Sequence, residues 1–370
     1  MARSDLKDLS LKELEDFLKA NEYPAYHARQ IFSWVYQRGA EDFSFMSDVP
    51  LNLRNLLESN FYIGRLKLVK RETSRDGTEK FLFSLEDGNA IESAIIPTLK
   101  RKTACLSTQV GCRFKCGFCA SGISGWQRNL TVAEIVNQLM LLNSLVSPER
   151  IIPNFCKLKI GDINIESKIP KFHRGNFGIT HIVFMGTGEP LDNYENVLKA
   201  IRIINSPRAL GIAARRITVS TCGIIPGIEK LAKENLQIEL SVSLHAADNA
   251  TRDKLMPVNK KYPLEKLIAA CKQYAKTTKR QVTFEYILIK GMNCDLKSAA
   301  NLTKFLKGWD CKINLIPYNP IKEFDFAPPA KLETLFFQDR LIKSGIRAMI
   351  RLPRGTDIQA ACGQLRYYTD

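Results

Sequence analysis

The sequence predicts an α/β protein whose main body is a partial (β/α)6-type barrel, preceded by a small helical domain and a β-meander extension. Three observations favour this fold class. From about residue 103, apolar strand-like runs alternate with amphipathic helical stretches, as in βα units around a parallel sheet. The first sixty residues have a helical pattern, and residues 62–97 consist of short strand-like runs.

The N-terminal part divides into two predicted units. Ser10-Leu11-Lys12-Glu13 is a capping box that opens a short amphipathic helix, and helical patterns follow over 26–38 and 51–60. Residues 1–61 are therefore predicted to form a helical domain. Residues 62–100 are predicted to form the meander, because Asp76-Gly77 and Asp87-Gly88 are typical of hairpin turns.

Residues 101–350 are predicted to form the barrel, and residues 351–370 a C-terminal tail. Barrels of this kind carry their functional site at the C-terminal ends of the strands. A segment over 148–176 interrupts the alternation as an inserted hairpin; its basic residues predict either contact with an RNA backbone or a solvated surface loop. The predicted strands are 103–109, 180–185, 216–220, 238–244, 282–289, 312–318 and 346–352, and the predicted helices are 132–146, 193–205, 263–277, 295–307 and 331–344.

Composition and charge limit the classes of function. The chain has 370 residues, of which 45% are hydrophobic, so it can bury a sizeable core. It has no apolar run of about eighteen residues and no apolar stretch near its start, which predicts a cytoplasmic protein without a membrane segment. The net charge of +16 favours a polyanionic partner such as nucleic acid, although it is also compatible with a solubilising surface. We expect a monomer.

The most informative motif is Cys112-Arg113-Phe114-Lys115-Cys116-Gly117-Phe118-Cys119. Three thiolates at this spacing can surround one polynuclear iron-sulfur cluster, which usually has four cysteine ligands. With only three, one iron keeps an open position for a reactant, as a catalytic zinc does. The alternatives are a zinc site completed by Cys105 or by a distant histidine, and three unrelated buried thiols.

This spacing resembles that of the radical S-adenosylmethionine superfamily, in which the open iron of a [4Fe-4S] cluster chelates S-adenosylmethionine. The segment Gly186-Thr187-Gly188-Glu189-Pro190 resembles the glycine-rich segment of the superfamily, which implies that Gly188 and Glu189 contact the cofactor. Further positions at predicted strand ends, polar except for one leucine, together favour a cofactor pocket, although each polar residue alone is as easily a turn or cap. These further positions are Ser220, Ser243, Leu244, His245 and Asn319.

A closer resemblance covers nearly the whole chain. The stretches around Cys105, Arg128-Asn129-Leu130-Thr131, Gly188-Glu189-Pro190-Leu191 and Cys362 are similar to those of the RlmN/Cfr family of RNA adenine methyltransferases. Thr187 departs from the methionine of many relatives. The resemblance implies 23S ribosomal RNA and transfer RNA as substrates, a flavodoxin-like external electron donor, and two molecules of S-adenosylmethionine per turnover.

The same resemblance implies three catalytic residues. Cys362 accepts a methyl group, and a radical formed from a second cofactor molecule activates that methyl for addition to adenine. Glu92 removes a proton from carbon-2, and Cys105 forms a disulfide with Cys362 to release the product. The alternatives are a surface ion pair for Glu92 and a small packed residue for Cys362.

Two other functions remain open from the sequence. A Cfr-type enzyme modifies carbon-8 of adenine with the same cysteines, but Gly188-Glu189-Pro190-Leu191 and Arg354-Gly355 favour the carbon-2 branch. A zinc-stabilised, non-catalytic RNA-binding protein would also fit the basic charge.

Overall fold

The computed structural model describes residues 3–146 and 178–368. The N-terminal unit is helical, as predicted, and its capping box is present: the Ser10 hydroxyl accepts from the Glu13 amide and the Glu13 carboxylate accepts from the Ser10 amide. The predicted helix over 26–38 is α-helical only to Phe32 and continues as a π-helical turn over Ser33–Gln37. The elements are β1 (Ser4–Asp5), α1 (Leu11–Ala20), α2 (Tyr26–Phe32), α3 (Leu51–Asn60) and β2 (Phe61–Tyr62).

The meander follows as three antiparallel strands, β3 (Lys67–Thr73), β4 (Glu79–Ser84) and β5 (Ala90–Pro97). Its two turns contain Gly77 and Gly88 with φ values of 83° and 84°, which confirms the predicted hairpins. Strand β5 also pairs with the first barrel strand, β6 (Lys102–Cys105), so the meander extends the barrel sheet without a break.

After β6 the chain leaves the sheet to form a small antiparallel ribbon, β7 (Gln109–Gly111) and β8 (Trp126–Asn129). The predicted strand over 103–109 was therefore too long. The reason is that the backbone of Ser107 bonds to the Gln138 side chain instead of a neighbouring strand. Its amide donates to Gln138 Oε1, and its carbonyl accepts from Gln138 Nε2.

The barrel contains seven parallel strands in the order β6-β9-β10-β11-β12-β13-β14. In the described part of the chain, β14 and β3 are the two unjoined ends of this sheet, so the barrel is partial. The remaining strands are β9 (His181–Phe184), β10 (Ile217–Thr221), β11 (Glu239–Ser243), β12 (Val282–Leu288), β13 (Cys311–Pro317), β14 (Arg347–Ile350) and β15 (Tyr367–Tyr368).

Helices connect the successive strands and agree with the predicted alternation. The sequence did not predict α6 and α7, each of seven residues. The predicted hairpin over 148–176 lies outside the described residues. None of the helices in the described ranges is long and apolar enough to cross a bilayer. The helices are α4 (Val132–Val146), α5 (Tyr194–Asn205), α6 (Ile225–Leu231), α7 (Asn249–Leu255), α8 (Leu264–Thr278), α9 (Leu296–Leu306) and α10 (Lys331–Lys343).

Buried polar contacts attach the helical domain to the barrel. Lys7 is buried, and its Nζ donates to the Gly64 carbonyl and to Asn137 Oδ1 on α4, at 2.5 and 2.6 Å. Asp8 Oδ1 accepts from the Ala133 amide, 2.8 Å away, in the first turn of α4. The first turn of this helix, which follows the ribbon, is thus capped by the N-terminal domain.

Candidate active site

The three cysteines lie in the loop between β7 and β8, close to the C-terminal end of β6. This loop, residues 112–125, is anchored at two points: the Gly117 amide donates to the Leu255 carbonyl at 2.9 Å, and the Ala120 amide donates to the Gly363 carbonyl at 2.7 Å. One anchor is the end of α7 and the other is the C-terminal tail. The loop therefore joins the barrel to the tail.

The thiols of this loop are half-buried and free of disulfides. Burial raises the pKa of the Cys112 thiol to about 12 and that of Cys116 well above its ordinary value; the Cys119 pKa is raised by the same cause. Without a metal the three thiols are neutral at physiological pH. Binding of iron would deprotonate them, so loading of the site releases protons.

The donor set of the loop indicates which metal group it can hold. Within the described residues, no three Cys, His, Asp or Glu side chains converge closely enough to hold one metal ion. The three thiolates of the loop are soft donors of the kind that iron-sulfur clusters use, so the chemistry of the donor set fits such a cluster.

The glycine-rich segment follows β9 and approaches the ribbon closely. Gly188 has a φ of 102°, and a Cβ on it would lie 2.6 Å from Gln109 Cβ. Only glycine fits here. The close approach lets Gln109 Oε1 accept from the Glu189 amide at 2.9 Å.

The Glu189 carboxylate is buried and held by backbone amides. Its Oε2 accepts from the Cys222 amide at 2.7 Å and its Oε1 from the Leu191 amide at 3.1 Å. Burial raises its pKa, which the Cys222 amide opposes. In the described part of the chain it has no ion-pair partner. A buried carboxylate without a cation fits the ammonium group of S-adenosylmethionine.

The predicted positions at β10 and β11 lie at neighbouring strand ends, but their polar groups are partly used within the protein. Ser220 Oγ donates to the Phe184 carbonyl at 2.6 Å. The carbonyls of Ser243 and Leu244 accept from the buried Arg252. Ser220 therefore bridges β9 and β10, whereas the backbone of residues 243–244 is fixed by a cation.

His245 has a strained backbone and a neutral ring. Its φ is 55°, and its Nδ1 accepts from the Ile287 amide at 3.0 Å. Burial lowers its pKa to about 3, with the Arg252 guanidinium adding to the effect. The remaining ring proton is therefore on Nε2, which makes His245 a hydrogen-bond donor.

Asn319 follows β13 and contacts the tail. Its Nδ2 donates to the Cys362 carbonyl at 3.2 Å, while its buried Oδ1 has no hydrogen-bond partner among the described residues. An unpartnered buried acceptor is costly unless a ligand satisfies it. With Gly188 and Glu189, this acceptor indicates that the pocket fits S-adenosylmethionine.

Glu92 is in β5 and forms a buried ion pair. Its Oε1 is 3.0 Å from Lys80 Nζ, and its Oε2 accepts from the Arg366 amide at 2.9 Å. Burial raises its pKa, and the Arg366 amide and the Lys80 ammonium oppose that rise. The alternative of a surface ion pair is wrong, because both side chains are under a tenth exposed.

Cys105 and Glu92 share one face of the sheet. Cys105 is paired with Ala94, which is two residues from Glu92 on the same strand. Leu365 of the tail packs on Ala94 and Cys105. Burial raises the pKa of Cys105 to about 12, and the nearby Cys362 thiol adds to the effect.

The C-terminal tail covers this face and carries Cys362. Besides the contact from Ala120 to Gly363, Ser121 Oγ donates to the Leu365 carbonyl at 2.8 Å. Strand β15 pairs with β5, which continues the same attachment. Cys362 is half-buried, near Cys119 of the cysteine loop and near Cys105.

Sequence reasoning missed four neighbours of the site. Gln109 and Lys80 contact predicted residues directly. Arg252 is fully buried. The Arg351 guanidinium is close enough to Cys362 and Glu285 that these groups raise its pKa. Gln109 was detectable from its place just before Cys112, but nothing in the sequence distinguishes the other three from surface cations.

Two family models match this chain. The ribosomal RNA large subunit methyltransferase N-terminal domain matches residues 4–63, and the radical SAM superfamily model matches residues 164–302. The second match begins after the three-cysteine loop.

Curated relatives cover almost the whole chain. A probable dual-specificity RNA methyltransferase RlmN of Thermoanaerobacter sp. (strain X514) is 43% identical over 98% of this chain and 97% of its own length. A dual-specificity RNA methyltransferase RlmN of Syntrophobacter fumaroxidans is 42% identical over 97% of both chains. The crystal structure of a radical SAM methyltransferase from Sphaerobacter thermophilus is similar to this fold, with a TM-score of 0.85, 40% identity, and coverage of 98% and 99% of the two chains.

Proposed function

This chain belongs to the RlmN family of dual-specificity radical S-adenosylmethionine RNA methyltransferases, and we propose that it methylates carbon-2 of adenine in 23S ribosomal RNA and transfer RNA. The observation that carries the proposal is the docked tail, which holds Cys362 beside both the cysteine loop and the face with Cys105 and Glu92. Carbon-2 of adenine lies between two ring nitrogens and is electron-poor. It does not attack an electrophilic methyl group, so polar methyl transfer is unsuitable.

Two sets of residues would bind the iron-sulfur cluster and S-adenosylmethionine. Cys112, Cys116 and Cys119 would hold a [4Fe-4S] cluster, and S-adenosylmethionine would lie against the cofactor-binding residues. Together these groups supply a methyl group and a 5′-deoxyadenosyl radical, with two S-adenosylmethionine molecules used per turnover. The cofactor-binding residues are Gly188, Glu189, Ser220, Ser243, Leu244, His245 and Asn319.

Cys362 has the first covalent role. Its thiolate would attack the methyl carbon of S-adenosylmethionine, so that an S-methyl group forms on the tail and S-adenosylhomocysteine leaves. The Arg351 guanidinium lies beside this thiol. The S-methyl group would then give a hydrogen atom to the 5′-deoxyadenosyl radical, which leaves as 5′-deoxyadenosine, and the carbon radical on Cys362 would add to carbon-2 of adenine.

Glu92 and Cys105 complete the turnover. The radical adduct would return one electron to the oxidised cluster, and Glu92 would remove the proton from carbon-2. The Cys105 thiolate then attacks the Cys362 sulfur, so that the carbon–sulfur bond breaks and a disulfide forms. The released carbon takes a proton to become the new methyl group, and an external reductant restores both thiols.

We also propose that residues 1–61 contribute to RNA binding, with the net charge of +16 strengthening the contact at low salt. The N-terminal domain is fixed to α4, so it holds an RNA in a constant orientation to the barrel. We expect a monomer that takes electrons from a flavodoxin-like donor.

Mass spectrometry of nucleosides tests the proposal. Purified protein with a chemically reduced cluster should convert adenosine to 2-methyladenosine in both RNAs, and Cys294→Ala, a substitution away from the described site, should behave as wild type. Production of 8-methyladenosine would overturn the assignment to carbon-2. A colourless protein with zinc in place of about four irons per chain would overturn the radical chemistry itself.

A further inference from the structure

Arg252 is a buried cation at the centre of the candidate site. Its side chain has no solvent exposure, although the charged residues that follow it in α7 are half-buried (Asp253) or exposed (Lys254). The guanidinium remains charged at any physiological pH, because arginine does not deprotonate in proteins. A charge held in this way must be compensated by its surroundings.

Every hydrogen bond that Arg252 makes in the described residues is to a neutral oxygen. Its Nε donates to the Leu244 carbonyl at 3.0 Å, and one terminal nitrogen donates to the carbonyls of Cys222 at 2.8 Å and Ser243 at 3.0 Å. The other terminal nitrogen donates to Asn259 Oδ1 at 3.0 Å and to the Tyr262 carbonyl at 3.4 Å. These acceptors fix the ends of β10 and β11, but they carry no negative charge.

No carboxylate in the described part of the chain forms an ion pair with Arg252. Burying a charge without a direct partner of opposite charge is unfavourable, even after its hydrogen bonds are satisfied. The nearest carboxylate, Asp253, is linked to it through Asn259, whose Nδ2 donates to Asp253 Oδ1 at 2.7 Å. The thiols beside it include Cys222, whose carbonyl it binds, and Cys116 in the cysteine loop.

The cysteine loop lies directly against the helix that carries Arg252. The Gly117 amide donates to the Leu255 carbonyl, three residues after Arg252. Phe118 packs with Leu255 and Met256, and its ring meets His245 edge-on at 4.7 Å between centroids. Any group held by Cys116 and Cys119 is therefore next to this buried cation.

We propose that Arg252 is the fixed counter-charge of the iron-sulfur cluster and that it raises the reduction potential of that cluster. Cluster thiolates supply the negative charge that the apo-protein lacks. A nearby cation stabilises the reduced, more negative state over the oxidised state. Because the same guanidinium fixes the backbone of residues 243–244, the cluster and the cofactor pocket are held in one arrangement. This inference rests on the proposed cluster but not on the RNA product.

A redox titration followed by electron paramagnetic resonance tests the inference in the cluster-loaded protein without RNA. Arg252→Met and Arg252→Gln remove the charge, and we expect a midpoint potential more negative than that of wild type. Arg252→Lys keeps the charge and should retain most of the wild-type potential. Lys254→Met is the matched control on the same helix; its exposed charge is screened by water, so the potential should not change.

A wild-type midpoint in a folded, fully loaded Arg252→Met or Arg252→Gln protein would overturn the proposal, as would an equal shift in Arg252→Lys. A second measurement uses the wild-type protein and therefore tests the proposal even if the variants do not fold. Removing the cluster should speed amide hydrogen exchange in α7 and at the ends of β10 and β11, and unchanged exchange there would also overturn it. Failure to form 2-methyladenosine would instead refute the proposed function and leave these results intact.

Discussion

The two halves of the candidate site are built in different ways. The cysteine loop is local: its three thiols lie within eight residues and are presented by one short ribbon. The face with Glu92 and Cys105 is non-local, because β5, β6 and the tail meet there from distant parts of the chain. The first half therefore depends on few contacts, whereas the second depends on the docked tail. The difference predicts that the halves can be disabled separately.

The largest effects are expected from removing one cysteine in each half. Cys116→Ala should lose both the cluster and methylation, because only two thiolates of the loop remain. Cys362→Ala should also lose methylation but keep the cluster, because its contribution comes from the tail. Iron content, the visible spectrum and nucleoside mass spectrometry measure these outcomes. An iron-free Cys362→Ala protein would show that the two halves are not separable.

Cys105→Ala should stop the reaction later, after carbon–carbon bond formation. Without the thiol that attacks the Cys362 sulfur, the RNA remains joined to the tail. A denaturing gel should show one protein–RNA adduct per active site and no further turnover. Cys271→Ala, which removes a buried thiol from α8, is the control and should give no adduct. Normal turnover by Cys105→Ala would refute the resolving role.

A smaller effect is expected from Lys80→Met, which changes the pKa of Glu92 and so the pH dependence of the reaction rate. The charged groups facing this carboxylate are Lys80 on β4 and Glu72 on β3, and the neutral backbone amide of Arg366 in the tail also donates to it. Lys80 opposes the rise in the Glu92 pKa, so its removal raises that pKa further. Since the base acts only when ionised, the acid limb of the rate profile moves to higher pH.

We expect the single-turnover rate of Lys80→Met to fall about tenfold on the acid limb for each unit by which the Glu92 pKa rises, and to recover at high pH. Lys80→Arg should retain the wild-type profile. Lys70→Met removes an exposed partner of Glu72 and serves as the control. An unchanged profile in Lys80→Met would mean that Glu92 does not limit the rate as a base.

The alternation of strands and helices made the barrel predictable, because the apolar runs of strands and the amphipathic pattern of helices were both clear from residue 103 onward. The ends of the barrel elements agree to within one residue, except that β6 ends four residues before the predicted 109 and β14 two residues before the predicted 352. Strand β6 ends early because Gln138 binds both the amide and the carbonyl of Ser107. Helices α6 and α7 were too short to give a periodic signal.

The cysteine loop and Gly188 were predictable because their chemistry needs a fixed spacing and a residue without a side chain. The roles proposed for Glu92, Cys105 and Cys362 came from family resemblance, because their distant positions in the sequence give no spacing pattern. Arg252 and Lys80 were not predictable at all. In the sequence they are two of 54 basic residues, and only the fold makes them buried.

The central claim is that the methyl group reaches adenine through Cys362. Protein whose Cys362 carries a trideuterated methyl group, given unlabelled S-adenosylmethionine and RNA for one turnover, tests this directly. The account predicts 2-methyladenosine in which one deuterium of that methyl group has been replaced by hydrogen. An unlabelled methyl group in the first turnover would contradict it, because the methyl would then have come from the cofactor without passing through the tail.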